Sequence, residues 1–283
     1  MKKNTAIALA ALAGLAAIVS ATIYAVDEPV RRWSQFYLWK AFSGKAHGGR
    51  YIRVGDASIY YETFGSGPPV LVLHGGIGYI EDMNFQIRAL AESHFVIAVD
   101  SRGHGRSTGA NGPLSYSLMS DDMVKVLDSL KINQADVVGW SDGAIIGLDL
   151  AMRHPTRIRR LVAISANYNP DGLAYTPSVE PVPRIALRYW LLAPDPSQWP
   201  NLYRDVVTMW RTQPQYTLND LGQIETPTLV MAGEHDLIRR AHTDQLAKAI
   251  PGSRESIIAG ASHAVPMEKP DVVDREILDF LGG

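Results

Sequence analysis

Ala135-Asp136-Val137-Val138-Gly139-Trp140-Ser141-Asp142-Gly143-Ala144-Ile145-Ile146-Gly147 is the stretch that decides the fold. Its first four residues read as a buried strand. A turn follows with glycines on both sides of one serine, and an apolar helix pattern begins at Ala144. A hydroxyl at Ser141 then sits on a strained strand-to-helix turn at the carboxyl edge of a sheet. The helix N-terminus behind it offers backbone N–H groups to a developing oxyanion. G-x-S-x-G alone is weak. The strand before it and the helix after it supply the context that the motif demands.

Working outward, the partners of such a serine follow in the order acid, then histidine. Pro227-Thr228-Leu229-Val230-Met231-Ala232 reads as a second buried strand, ending in Gly233-Glu234-His235-Asp236. Ser256-Ile257-Ile258 is a third apolar run and leads into Gly260-Ala261-Ser262-His263. Two further motifs lie upstream: His74-Gly75-Gly76-Ile77-Gly78, and Asp100-Ser101-Arg102-Gly103-His104-Gly105-Arg106-Ser107. With these five motifs in this order the chain resembles the α/β-hydrolase superfamily from about Arg50 to the C-terminus. Trp140-Ser141-Asp142-Gly143 looks like the biphenyl-hydrolase-like (valacyclovir hydrolase) branch. The glycine loop after His74 is similar to that of proline iminopeptidases, with Ile77 where they carry proline. The resemblance implies a mostly parallel central sheet with helices on both faces and a helical cap.

Ser141 is the expected nucleophile, because a serine hydroxyl needs a base within hydrogen-bond reach and the motif places one nearby. His263 is the expected general base. Of the eight histidines it alone lies in the loop after the last apolar run, whereas His74 and His104 suit turn support and His154 a helix end. Asp236 is expected to orient the imidazole, with Glu234 as the rival; the resemblance favours the aspartate of Gly-Glu-x-Asp. The oxyanion donors are expected at the backbone N–H groups of Asp142 and Gly76, with Ile77 the alternate for the second. Asp142 also places a carboxylate beside the reacting group, costly if buried unpaired. Two readings stay open for it: it faces the pocket and binds a substrate cation, or it turns away to a partner such as Arg102. Asp142 and Ile77 are the expected substrate contacts.

The 283 residues, 46% of them hydrophobic, suffice for one large core, and a formal net charge of −2 gives no electrostatic case for nucleic acid. With no cysteine, disulfides, a thiolate nucleophile and thiolate metal sites are excluded. No metal-ligand spacing or dinucleotide fingerprint is present, so no cofactor is expected. Thr5 to Val26 is uncharged and follows Lys2 and Lys3. As a helix it would span roughly 33 Å, enough for a hydrocarbon core of about 30 Å. Residues 1–26 are therefore expected to be a signal peptide or a membrane anchor, the domain being exported or held at a membrane. Residues 27–49 read as a linker with an amphipathic middle. Residues 50–283 read as the hydrolase domain, opening with a hairpin that turns at Gly55-Asp56. Between about 167 and 224 the strand–helix alternation gives way to prolines and aromatics, and this insertion is expected to be the cap. The expected activity is hydrolysis of a small carboxylic ester through an acyl-enzyme. Amide, aminoacyl ester, lactone or carbon–carbon cleavage on the same machinery are alternatives. A non-catalytic small-molecule binder is the alternative of another class.

Overall fold

Val70, Leu71, Val72 and Leu73 are all buried, as are Ala135 to Val138 and Leu161 to Ile164. Strands with no exposed face belong in the middle of a parallel sheet whose two sides are both covered. A computed structural model shows that arrangement and describes residues 28–109, 112–178 and 183–282. Its strands are β1 (Ala46–Val54), β2 (Ala57–Phe64), β3 (Pro69–Leu73), β4 (Phe95–Val99), β5 (Ala135–Trp140), β6 (Ile158–Ile164), β7 (Thr228–His235) and β8 (Arg254–Ser262). They form one eight-stranded sheet in the order β1-β2-β4-β3-β5-β6-β7-β8. β2 runs antiparallel to both of its neighbours, and every other pairing is parallel. The Val54↔Ala57 register closes the first hairpin across Gly55-Asp56.

The crossovers are helical. Tyr116–Ser129 and Asp142–Arg153 pack on one another, as do Asn84–Leu90 and Pro270–Gly282. Ser115 starts the first of these by accepting from the Leu118 N–H, a side-chain cap on an otherwise orphaned donor. Each fully buried aliphatic side chain of the central strands contributes roughly 1.5–3 kcal/mol to this packing. Between β6 and β7, among the described residues, no strand interrupts the helices Pro183–Leu192, Trp199–Thr212 and Leu218–Leu221. They occupy the stretch read as the cap.

By its internal contacts the chain divides into Met1–Gly44 and Lys45–Gly283. Within the first unit, Glu28–Phe42 is helical, and Phe36 stacks on Trp39 at 5.9 Å. The stretch read as a linker therefore holds a helix, and β1 begins at Ala46, ahead of the Arg50 start read from the motifs. The exposed, polar face of β1 hides it from a hydrophobicity reading. The expectation of a transmembrane helix and of membrane attachment is corrected: among the described residues, no helix is long and apolar enough to cross a membrane. Thr5 to Val26, on which that expectation rested, lie outside the described residues.

Candidate active site

β5 ends at Trp140, and Ser141 follows with φ 55° and ψ −118°. A non-glycine residue held there costs about 1–3 kcal/mol, which the surrounding structure must supply. The two flanking glycines make the turn feasible. A Cβ on Gly139 would overlap the Gly143 carbonyl, and one on Gly143 would overlap the Leu73 carbonyl of the adjacent strand. The turn is thus a close backbone crossing that lifts Ser141 off the sheet at the start of helix Asp142–Arg153.

The structure brings Ser141, His263 and Asp236 together. His263 Nε2 lies 3.0 Å from Ser141 Oγ, and His263 Nδ1 lies 2.7 Å from Asp236 Oδ1. Asp236 is reached from the end of β7 and His263 from the end of β8, so three strand ends converge on one point. Burial pushes the Asp236 carboxyl up, but the His263 bond and charge, the Ile238 N–H and the Ser165 hydroxyl outweigh it and hold the group below its ordinary value. It stays ionised beside the imidazole. Glu234 instead accepts from the Gly260 N–H at 2.8 Å, closing the loop that precedes His263.

Gly76 and Asp142 both line a cavity of about 140 Å³ above Ser141. Among the described residues no acceptor takes the N–H of either. A Cβ on Gly76 would overlap the Asp142 carboxylate and the Trp210 ring, so only glycine allows this approach. Ile77 has φ 58° and is buried. Its side chain is taken up by the fold and is absent from the cavity wall, unlike the substrate contact expected of it.

His74 secures this loop. The Ser101 N–H donates to its Nε2 at 3.0 Å, so the proton sits on Nδ1 and is donated to the Gly75 carbonyl at 2.7 Å. Burial, with the charges of His104 and Arg106, pushes this imidazole down to about 3, so it remains a neutral strut. Asp100 holds the next turn by accepting from Ile80 N at 2.9 Å and from Arg106.

The Asp142 carboxylate lines the cavity and is 5% exposed. Trp210 Nε1 donates to its two oxygens at 2.8 and 3.0 Å, and Tyr116 Oη donates to Oδ1 at 3.1 Å. Burial pushes it up to about 6 against those bonds and the nearby His263. Arg102 pairs with Asp122 and Asp56 instead. Asp142 thus faces the cavity, with Trp210 and Tyr116 rather than Arg102 as its partners.

Four positions escaped the sequence reading. Trp140 Nε1 donates to the His263 carbonyl at 2.8 Å, Ser165 Oγ donates to Asp236 Oδ2 at 2.6 Å, and Trp210 and Tyr116 hold Asp142. Trp140 carried a signal, its place inside the serine motif. The other three are joined to the site only by the fold.

A hydroxyl, an imidazole and a carboxylate in series, at strand ends of a sheet in this order and beside two undirected N–H groups, mark the α/β-hydrolase class. A family model described as alpha/beta hydrolase fold matches residues 68–192. RutD of Azorhizobium caulinodans, whose name provisionally assigns it carbamate hydrolysis, is 32% identical over 82% of this chain and 98% of its own length. The serine hydrolase BPHL of Mus musculus is 26% identical over 81% of this chain and 85% of its own. Among solved structures, Est816, described as an N-acyl homoserine lactone degrading enzyme, is 27% identical with a TM-score of 0.70, covering 82% of this chain and 100% of that one. The chain belongs to the α/β-hydrolase family, and it is a hydrolase.

Proposed function

We propose that the protein hydrolyses a small carboxylic ester in two steps through an acyl-enzyme on Ser141. The observation that carries this reading is the series Ser141 Oγ, His263 Nε2, His263 Nδ1, Asp236 Oδ1 at 3.0 and 2.7 Å. His263 takes the hydroxyl proton as Ser141 Oγ attacks the carbonyl carbon. The negative charge that forms on the carbonyl oxygen falls to the N–H groups of Gly76 and Asp142. Each such donor is typically worth about 10²–10³ in rate. His263 returns the proton to the leaving alcohol. A water, deprotonated by the same imidazole, then releases the acid. Asp236 keeps the imidazole proton on Nδ1 and offsets the positive charge formed during transfer.

Within this reading, the Asp142 carboxylate in the cavity wall favours esters of amino acids, whose ammonium it would face. A lactone is an internal ester and needs no different machinery.

The test is a panel of short-acyl, long-acyl and aminoacyl p-nitrophenyl esters with pre-steady-state detection. Turnover with a burst of p-nitrophenol supports the acyl-enzyme. Ser141→Ala and His263→Ala should each lower kcat by about three orders of magnitude or more, because the two act as one unit. Asp236→Ala should lose less, and Glu234→Ala should stay close to the unaltered enzyme. Absence of turnover across the panel, or equal losses at Glu234 and none at Asp236, would overturn the assignment.

A further inference from the structure

An open groove of about 390 Å³ adjoins the cavity above Ser141 and shares Leu173, Tyr175, Pro177 and Trp210 with its lining. The inner cavity, at about 140 Å³, has about the volume that admits a single benzene ring. A substrate with a longer arm would meet the groove next, along these shared residues. Arg211 stands in the groove wall, and its orientation is set by the chain: Nε donates to the Pro177 carbonyl at 3.0 Å, and Nη2 donates to the same oxygen.

A guanidinium has five N–H donors in a planar fork. Two are spent on Pro177. The remaining three include one on each terminal nitrogen, the pair that grips a carboxylate end-on. No carboxylate among the described residues takes them. Asp171, the acid next to Pro170 on the rim, is not part of the groove wall. The inner cavity, by contrast, carries the Asp142 carboxylate, so the two adjoining linings bear opposite charges.

On the reading of Ser141 as the acylated nucleophile, we propose that Arg211 and its groove select substrates whose distal arm ends in an anionic group such as a carboxylate. The anion sits on the alcohol or on the acyl side of the scissile bond, and the assay separates these. Because Arg211 is exposed, the contact is screened by salt, and the preference it gives is about two- to fivefold. The contact forms before the chemical step and persists through it, so it acts on KM rather than on kcat.

The experiment compares kcat/KM for para-acetoxybenzoate against para-acetoxybenzamide (anion on the alcohol arm) and for monophenyl glutarate against phenyl valerate (anion on the acyl arm). A roughly two- to fivefold preference for the anion in either pair, carried by KM, weakened by high salt, lost in Arg211→Gln and partly kept in Arg211→Lys, is the expected result. Turnover of the neutral esters with no anion preference in either pair would overturn the proposal, as would a preference unchanged by Arg211→Gln. Calorimetric binding of para-hydroxybenzoate against para-hydroxybenzamide needs no turnover. Glutaric acid monoamide against valeramide does the same for the acyl arm. An Arg211-dependent preference in either binding pair without ester hydrolysis would sink the esterase reading and leave the groove assignment standing, and equal binding in both pairs would sink the groove assignment.

Discussion

At the residue scale, Asp142 joins two jobs that pull in different directions. Its N–H belongs to the backbone beside Ser141, while its carboxylate is held by Trp210 and Tyr116. A carboxylate has about four acceptor sites. Two hydrogens reach it, the Trp210 N–H shared between both oxygens and the Tyr116 O–H on one, which leaves room for a ligand donor. Asp142→Asn keeps the backbone donor and removes the charge. It should lower kcat/KM for aminoacyl esters by roughly tenfold or more while butyrate esters change only a few-fold. The sign with pH follows from a carboxyl raised to about 6: it is ionised above that value and neutral below it. A substrate α-ammonium, with an ordinary pKa of about 7.7–8.0, is charged below that range. The aminoacyl preference should therefore peak between about pH 6 and 8 and fade on both sides in the kcat/KM ratio. A pH-independent ratio, or equal losses on both ester types, would make Asp142 a structural carboxylate. The nearness of Ser141, Asp236 and His263 was legible because each follows an apolar strand. The facing of Asp142 was not, because its two holders come from other elements far along the chain.

At the element scale, the turn carrying His263 is tied to two helices by one buried amide. Gln86, in helix Asn84–Leu90, donates through Nε2 to the Pro266 carbonyl at 3.1 Å and to Asp274 Oδ1 at 2.8 Å. Asp274 belongs to the C-terminal helix Pro270–Gly282, and its carboxyl is pushed up to about 7, chiefly by burial. Gln86 Oε1 is buried with no partner. A protonated Asp274 can donate to that oxygen and close a two-bond ring with the amide, so the neutral acid is the better fit. A group whose folded value lies above its unfolded one contributes stability that is fully present below the unfolded pKa. That stability is lost as pH rises, here from about 4 to about 7. Asp274→Asn supplies a permanent N–H donor of the same shape. Relative to the unaltered protein it should melt higher at pH 8 than at pH 5. The differential is on the order of 1–4 kcal/mol from a shift of this size, or at least a few degrees in a domain this large. Equal differences at the two pH values would show that Asp274 does not titrate in this range. Neither Gln86 nor Asp274 drew notice in the sequence, since a polar residue on a helix is ordinarily solvated.

At the scale of the whole molecule, the central strands were legible because burial on both faces makes them apolar throughout, and an apolar run between turn residues reads directly as a strand. β8 was seen only at Ser256 to Ile258, because Arg254, Glu255 and Ala259 are exposed. β1 was placed late for the same reason. The cap announced itself only by the loss of alternation, although Trp199, Leu202, Tyr203, Val206 and Val207 are buried at helical spacing along Trp199–Thr212, a period masked in the sequence by the many prolines around it. The unit Lys45–Gly283 contains all eight strands and every residue of the site. Lys45 belongs to its edge: its carbonyl accepts from the Gly65 N–H at 2.8 Å, and its ammonium pairs with Glu92 at 2.9 Å. A chain that begins at Lys45 should therefore fold alone. Its melting midpoint should lie within a few degrees of that of the full chain, and its kcat/KM on the best ester within about twofold, since a unit with its own core can fold alone. A chain that begins at Ala57 loses β1 and bares one edge of β2. It should melt lower and aggregate, as scattering on heating would reveal. If the chain from Lys45 failed to fold, or lost most of its activity while folded, residues 1–44 would be an integral part of the catalytic unit.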